Sequence, residues 1–208
     1  MTTAATKGLE GIIAGDTQIC SVEQGALIYR GYEIHDLADH ATFEEVAHLL
    51  LVGHKPDAKE LRFFKDELIA NRALPTQVID YLHAAGPMLK EGTAVPMDVL
   101  RTGVSILGNL DKDSQDNSPG ANLRKAKRLT AKIPTIIGHM QTIIDGKGLI
   151  APNTGGDANL CHAANLLYLM TGAKPNAEYT KVVDVSLILY AEQACNASTF
   201  AGRVISAT

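Results

Sequence analysis

The pattern that most constrains the fold is a capped amphipathic segment beginning at Thr42. Thr42 precedes Glu45 by three residues, the spacing of a capping box in which side chains and backbone N–H groups satisfy one another. Apolar residues then recur at helical intervals and form one stripe. They are Phe43, Val46, Ala47, Leu50 and Leu51. Gly53 predicts the end of this helix, because glycine readily adopts the left-handed conformation that closes a helix.

Helical periodicity continues through two further segments. We predict a helix over about residues 57–72 with Leu61, Phe64 and Leu68 buried. A third helix is predicted from Pro75 to Ala85, and the pair at residues 86–87, Gly-Pro, is predicted to break it.

Two prolines mark the next helix starts, where a missing N–H has no cost. The helix from Pro96 is predicted to bury one apolar face. That face comprises Met97, Leu100, Val104 and Leu107. Ser118 is predicted to cap a long helix with a kink or break near Pro134.

The last two helices are predicted to occupy the final fifty residues. Asp157 is predicted to cap a helix that passes through Leu160 and ends at Gly172. A final helix is predicted from about Ala177 to the chain end and, being apolar on nearly every side over residues 182–190, to be covered all round.

Residues 8–32 are the one region that favours strands. The short runs TQICSV and ALIYR are separated by residues 23–25, which suggests a small hairpin. The sequence therefore predicts an all-α fold, helical over residues 36–208, with a small N-terminal β-hairpin.

Composition excludes several classes of function. Hydrophobic residues make up 46% of the 208-residue chain and charged residues 20%, as in an ordinary globular protein. The net charge of -4 does not favour binding to nucleic acid, and no apolar run approaches the roughly 20 residues that span a bilayer. The first residues, MTTAATKGLEG, lack the apolar core of a signal peptide, so we predict a cytoplasmic location.

No metal or redox site is predicted from the cysteines and histidines. Cys20, Cys161 and Cys195 are widely spaced and favour reduced, mostly buried thiols. His40 and His48 flank Glu44 at four-residue spacing, but the predicted N-cap at Thr42 places His40 outside that helix. His139 and His162 are predicted to be surface or satisfied core residues.

A basic cluster in the long helix invites a phosphate-binding interpretation. It consists of Arg124, Lys125, Lys127 and Arg128. Apolar residues are interleaved with it, so we favour the solvated face of an amphipathic helix.

Near the C-terminus, polar residues recur every three or four positions and predict a polar stripe along the last helix. They are Glu192, Asn196, Thr199 and Arg203, bordered by Gln193. A buried stripe would need a partner, either a ligand, a neighbouring helix or water, because each unsatisfied group costs about 1–3 kcal/mol. A stripe that faces solvent or caps another helix is the alternative on periodicity alone.

Five ordered blocks resemble the N-terminal part of citrate synthases, and most of all the bacterial 2-methylcitrate synthase branch. The blocks are KGLEGIIAGDTQIC, YRGYEIHDLA, TFEEVAHLLLVGHKP, PMDVLRTGVS and LILYAEQACNASTFAGRVIS. The resemblance implies a homodimeric, mostly α-helical acyltransferase that joins the α-carbon of an acyl-CoA thioester to the keto carbon of oxaloacetate. It implies acyl-CoA as a substrate, and no cofactor or metal.

The resemblance also implies which groups do the chemistry. The family's Asp base and its enolate-stabilising His lie after the segment that ends this sequence, so no catalytic residue is predicted here and the chain is expected to be inactive alone. The apolar face at Phe200, Val204 and Ile205 continues to the terminus and suggests that more chain or a separate C-terminal half completes the enzyme. Fraying of a natural terminus is the alternative.

One family position differs in this chain. The family motif Ala-Glu-His-Glu-x-Asn-Ala-Ser reads AEQACNAS here, so Gln193 stands where the His that contacts oxaloacetate is expected. Gln193 and Asn196 are therefore the predicted substrate-binding residues. A glutamine can donate a hydrogen bond but carries no charge, which predicts weaker oxaloacetate binding. The alternative is a non-catalytic homologue that acts as a dimerising or regulatory binding module.

Overall fold

A computed structural model describes residues 17–23, 25–155, 159–192 and 197–206. These residues form three short strands followed by helices. The strands are β1 Cys20–Glu23, β2 Ala26–Tyr29 and β3 Tyr32–Glu33. The helices are α1 Ile34–His40, α2 Phe43–Val52, α3 Ala58–Ala70, α4 Thr76–Lys90, α5 Pro96–Leu110, α6 Pro119–Ile144, α7 His162–Thr171, α8 Ala177–Leu189 and α9 Ala197–Ser206. The predicted all-α fold is confirmed.

The predicted hairpin is confirmed and gains a third strand. β1 pairs antiparallel with β2 so that Glu23 lies opposite Ala26, and β2 pairs antiparallel with β3. Arg30 and Gly31 both have positive φ, at 46° and 89°, which makes the tight turn between β2 and β3.

Helix α2 has the caps that the sequence predicts. The Thr42 hydroxyl accepts a hydrogen bond from the Glu45 N–H, and the Glu45 carboxylate accepts one from the Thr42 N–H. Gly53 ends the helix with φ at 110°. In α3, Asp57 and Glu60 form a second capping box, and Phe64 and Leu68 are buried as predicted, whereas Leu61 is only half-buried.

The predicted break at Gly86 and Pro87 is wrong, because α4 continues to Lys90. Gly86 instead allows α6 to pack closely: a Cβ added there would lie 3.1 Å from Cγ2 of Ile143. Pro87 is tolerated in the last turn of α4, where only one hydrogen bond of the helix is lost.

The predicted buried face of α5 is confirmed in part. Leu107 is buried, Leu100 is half-buried against the core and Val104 is half-buried. Met97 is 68% exposed, and the other fully buried positions of the helix are Val99 and Gly103. Gly103 faces α6, where a Cβ would lie 3.4 Å from Cδ1 of Ile136. The close approach of α6 therefore sets the rotation of α5.

Helix α6 begins at the predicted cap, where Ser118 accepts a hydrogen bond from Ala121. The helix is not broken at Pro134, which is buried inside it. Helices α3, α4, α5 and α7 all pack against α6, and this packing keeps the helix continuous through the proline.

Helix α7 starts later than predicted. Its N-cap is Cys161, so Leu160 precedes the helix, and the predicted cap Asp157 lies outside the described residues. Gly172 ends α7 in the left-handed conformation, as predicted.

The predicted continuous last helix is wrong, because α8 ends at Leu189 and α9 starts at Ala197. Nor is α8 covered all round: in the described residues it buries only Asp184 and Ile188, and Tyr190, its C-cap, is 87% exposed. Helices α1, α2 and α7 pack against α8, and within the described part of the chain Tyr179, Val182 and Leu189 of this helix are exposed. Among the described helices, none is long and apolar enough to cross a bilayer.

Candidate functional site

The predicted polar stripe is not formed, because its members do not share a helix. Glu192 lies in the segment after α8, and Thr199 and Arg203 lie on α9. The predicted substrate-binding residues, Gln193 and Asn196, lie outside the described residues. What the structure defines is the segment that leads into Gln193.

A buried tyrosine hydroxyl holds that segment. Tyr29 on β2 is fully buried, and its hydroxyl donates a hydrogen bond to the carbonyl oxygen of Glu192 at 2.8 Å. The same hydroxyl accepts a hydrogen bond from the N–H of Glu192 at 3.2 Å. The last carbonyl oxygens of α8, from Ile188 and Leu189, lie 3.3 and 3.4 Å away. One side chain thus fixes the end of α8 and the residue before Gln193.

The side chain of Glu192 turns back towards the sheet. The Cys20 thiol donates to its Oε1 atom at 3.6 Å. Burial raises the pKa of Tyr29, and the neighbouring charge of Glu192 acts in the same direction. Tyr29 therefore remains a neutral hydroxyl at physiological pH and acts as a positioning group.

Two carboxylates cap helices from outside those helices. Asp184 of α8 accepts a hydrogen bond from the first N–H of α2, at Phe43, at 3.1 Å. Glu44 of α2 accepts one from the first N–H of α7, at His162, at 2.9 Å. Because negative charge stabilises a helix N-terminus, these contacts connect α8, α2 and α7 electrostatically. Burial raises the pKa of Asp184.

His162 lies within this buried polar group. Its ring packs against the Phe43 ring with centroids 4.7 Å apart. Burial, together with the positive charge of Arg72, lowers the pKa of His162 to about 4. The imidazole is therefore neutral at physiological pH, which suits a core residue better than a cationic binding residue. Of the two predicted alternatives, a surface or a core residue, His162 is the core residue.

Arg72 joins α3 to the loop before α7. Its guanidinium donates to the carbonyl oxygens of Asn153 and Leu160, both at 2.8 Å, and its own carbonyl accepts from the Thr135 hydroxyl. Arg72 and Glu44 are each 2% exposed, and Nε of Arg72 and Oε2 of Glu44 make no hydrogen bond with the described residues. Both residues line an open cavity of about 350 Å³. The cavity is large enough for ordered water, for which these two buried atoms are polar partners.

Three of the four residues of the basic cluster of α6 are ion-paired within the chain, and Lys125 donates to the carbonyl oxygen of Asp116. Arg124 pairs with Asp113, and Arg128 pairs with both Asp111 and Asp113 at 2.7 Å. Lys127 pairs with Glu67 of α3. The two guanidiniums hold the pKa of Asp113 far below its usual range. These contacts favour the predicted structural role of the cluster over phosphate binding.

Local sequence patterns do not reveal the structural roles of Tyr29, Glu44, Asp184 and Arg72. Tyr29 and Asp184 belong to runs that look like ordinary strand and helix. A charged residue within an apolar helix, such as Asp184, was the available signal, since an unpaired buried charge is costly.

Comparison with known proteins identifies the family. The family model described as "Citrate synthase, C-terminal domain" matches residues 8–208. The chain belongs to the citrate synthase family.

The chain is similar to citrate synthases and to 2-methylcitrate synthases. A 2-methylcitrate synthase of Shewanella oneidensis is 41% identical over 97% of this chain and 51% of that protein. A citrate synthase of Haloferax volcanii is 38% identical over 97% of this chain and 52% of that protein. The crystal structure of citrate synthase from Pyrobaculum aerophilum superposes with a TM-score of 0.85 at 32% identity, covering 96% of this chain and 50% of that one. The chain thus spans about half the length of these relatives.

Proposed function

We propose that the chain contributes one part of a citrate or 2-methylcitrate synthase-type acyltransferase. This enzyme condenses an acyl-CoA with oxaloacetate and hydrolyses the thioester. Family membership over residues 8–208 is the observation that carries the proposal. A cytoplasmic location and a homodimeric state are parts of the same proposal.

The 208 residues are proposed to supply a scaffold and part of the oxaloacetate site, without the acid–base groups. The reaction needs a base for the α-proton and a donor for the enolate oxygen. The resemblance assigns both to residues beyond the segment that matches here. We therefore expect no turnover by these 208 residues alone, and activity when a C-terminal synthase half is supplied.

Gln193 and Asn196 are proposed to contact oxaloacetate. The Tyr29 hydroxyl supports this role, because it holds both backbone polar groups of Glu192 and so fixes the chain immediately before Gln193. A neutral amide donates a weaker hydrogen bond to a dianion than an imidazolium does. With a difference of about 1 kcal/mol, we expect about fivefold weaker binding than with histidine.

A non-catalytic homologue is the second candidate, and the AEQACNAS segment favours it. In this alternative the chain is a dimerising or regulatory binding module. Large apolar side chains exposed on α5, such as Met97 and Leu110, are compatible with a dimer surface in either case.

A mixing experiment separates the two candidates. The 208-residue chain is assayed alone and with the separately expressed C-terminal half of the Shewanella oneidensis 2-methylcitrate synthase, and free CoA thiol is measured with acetyl-CoA or propionyl-CoA plus oxaloacetate. The proposal expects turnover only in the mixture. A stable dimer without turnover in the mixture would favour the binding module, and turnover by the chain alone would refute the division of labour.

The role of Gln193 has its own test in the active mixture. Gln193→His is expected to lower the KM for oxaloacetate about fivefold, in line with the charge argument. Gln193→Asn is the matched control, since it keeps the amide but shortens the side chain. An unchanged KM in both variants would place Gln193 outside the oxaloacetate site.

A further inference from the structure

Two histidines and a glutamate converge where α2 is joined to α3. His48 lies in the last two turns of α2, His54 follows Gly53, and Glu60 lies in the first turn of α3. One potential ligand atom from each residue lies within 4.8 Å of the others. Within the ranges that the structure describes, this is the group of three that satisfies that distance.

The fold creates this group, because six-residue spacings do not place residues on one helix face. The left-handed turn at Gly53 reverses the chain, and α3 packs back against α2. Phe64 and Leu68 of α3 form the buried contact with Ala47. The three side chains are thus brought together by core packing on a rigid pair of helices.

His48 is held in one orientation. The side chain is buried, with the residue 5% exposed, and its Nδ1 atom lies 3.0 Å from the carbonyl oxygen of His54. A carbonyl can only accept, so the proton lies on Nδ1 and the lone pair lies on Nε2. Metal-binding histidines are commonly oriented by a hydrogen bond of this kind. Edge-on packing against the Phe64 ring, with centroids 5.3 Å apart, fixes the imidazole further.

His54 and Glu60 form the accessible side of the group. Nε2 of His54 lies 3.1 Å from Oε1 of Glu60, and these side chains are 56% and 42% exposed. Oε2 of Glu60 accepts a hydrogen bond from the Asp57 N–H at 2.9 Å. Glu60 is therefore a carboxylate fixed at one oxygen, with its other oxygen directed towards His54.

We propose that His48, His54 and Glu60 bind a divalent first-row transition metal of the Zn²⁺ class, with water completing the coordination. Two imidazoles and one carboxylate suit Zn²⁺, whereas Mg²⁺ and Ca²⁺ prefer oxygen ligands. Bonds of about 2.1 Å in tetrahedral geometry require ligand atoms about 3.4 Å apart. The exposed side chain of His54 can close the remaining distance by rotation, while Glu60 keeps its hydrogen bond from the Asp57 N–H. The bound ion would tie the end of α2 to the start of α3.

The chain offers a matched comparison for this site. His40 lies 3.3 Å from Asp36, again as an exposed histidine–carboxylate pair. This pair belongs to no group of three within the described ranges. A general affinity of surface histidines for metal ions would involve both pairs, whereas the proposed site involves only the pair beside His48.

The test is a metal titration of the 208-residue chain, stripped with a chelator and kept reduced. Zn²⁺ binding is measured by calorimetry, and Co²⁺ is added as a spectroscopic probe. We expect one equivalent of Zn²⁺ and the intense visible absorption of four- or five-coordinate Co²⁺, without the near-ultraviolet band of a cobalt thiolate. The thermal unfolding midpoint should rise with Zn²⁺, because the ion binds the folded state.

Variants decide whether these residues hold the ion. His54→Ala and Glu60→Gln are each expected to weaken Zn²⁺ binding more than about tenfold. His40→Ala should leave the affinity unchanged. Glu60→Gln retains an oxygen for the cap, so a lost affinity with an unchanged unfolding midpoint of the metal-free protein would identify a ligand. The proposal is overturned if no saturable binding occurs, if a thiolate band accompanies it, or if His40→Ala weakens binding as much as His54→Ala.

Discussion

Replacement of Gly138 by alanine should destabilise the protein, because α6 and α7 cross at this residue. A Cβ at Gly138 would lie 3.1 Å from the carbonyl carbon and 3.2 Å from the carbonyl oxygen of Leu169, and closer still to its Cβ. Favourable contacts between carbon atoms lie at about 3.5–4.0 Å. The contacts involve backbone atoms of a fully buried residue, so no rotamer change relieves them. Helix α7 must therefore move as a unit.

The expected magnitude follows from two opposing effects. Overpacking of a core costs about 1–3 kcal/mol, and the upper end applies because backbone must shift. Replacing glycine by alanine within a helix stabilises the helix by about 1 kcal/mol. The net loss in the free energy of unfolding should therefore be about 2 kcal/mol. Movement of α7 should also disturb the contact between Glu44 and the His162 N–H.

Urea unfolding followed by circular dichroism measures this loss. Gly108→Ala is the matched control, because Gly108 also lies in a helix but a Cβ there meets nothing within 4 Å. The control should gain up to about 1 kcal/mol from helix propensity alone. If Gly138→Ala proves as stable as Gly108→Ala, close approach of α6 and α7 is not the reason for glycine at residue 138.

Three further predictions concern the polar groups around the candidate site. Tyr29→Phe should lower the free energy of unfolding by about 1–3 kcal/mol, because the backbone groups of Glu192 lose their partner. Amide hydrogen exchange at Glu192 should become faster, and unchanged exchange would contradict the proposed role of Tyr29. His162 has a folded-state pKa of about 4 against an ordinary 6.5, so stability should be full above pH 6.5 and fall by roughly 3 kcal/mol as the pH drops to 4. Urea unfolding of wild type and His162→Gln at pH 7 and pH 5 checks this. If the free energy of unfolding changes equally with pH in both proteins, the argument is refuted. The pKa of Asp184 in the folded state is raised above its ordinary value of 3.8. Between these two pKa values the folded state binds more protons than the unfolded state, so the stability of the wild type should decrease as the pH rises above 3.8. Asp184→Asn keeps an acceptor for the Phe43 N–H, so its free energy of unfolding should increase relative to that of the wild type from pH 4 to pH 7. A difference in stability that stays constant with pH would contradict the argument.

Much of the secondary structure could be predicted because its signals are local. The capping box at Thr42, the cap at Ser118 and the stops at Gly53 and Gly172 each depend on residues within one helical turn. The family could also be predicted, since five blocks in fixed order carry the resemblance without any knowledge of contacts.

Local signals failed where packing between helices decides the outcome. Gly-Pro at residues 86–87 is a sound breaker signal, yet α4 continues because α6 packs closely against Gly86. The final apolar segment has helical periodicity on both sides of residues 190–196, yet α8 stops at Leu189, where the Tyr29 hydroxyl meets its last carbonyl groups. That hydroxyl is separated from Leu189 by 160 residues, so no local pattern contains the information.

The sequence alone determines the order of capped amphipathic segments, the family and the unusual Gln193. Each of these is encoded in residue types and short spacings. The tertiary structure decided which side chains meet: the anchor at Tyr29, the carboxylates that cap distant helices, and the group formed by His48, His54 and Glu60. The physical reason is that these contacts depend on the rotation and distance of packed helices. Those quantities are set by small residues such as Gly86 and Gly103, whose effect exists only when a second helix is present.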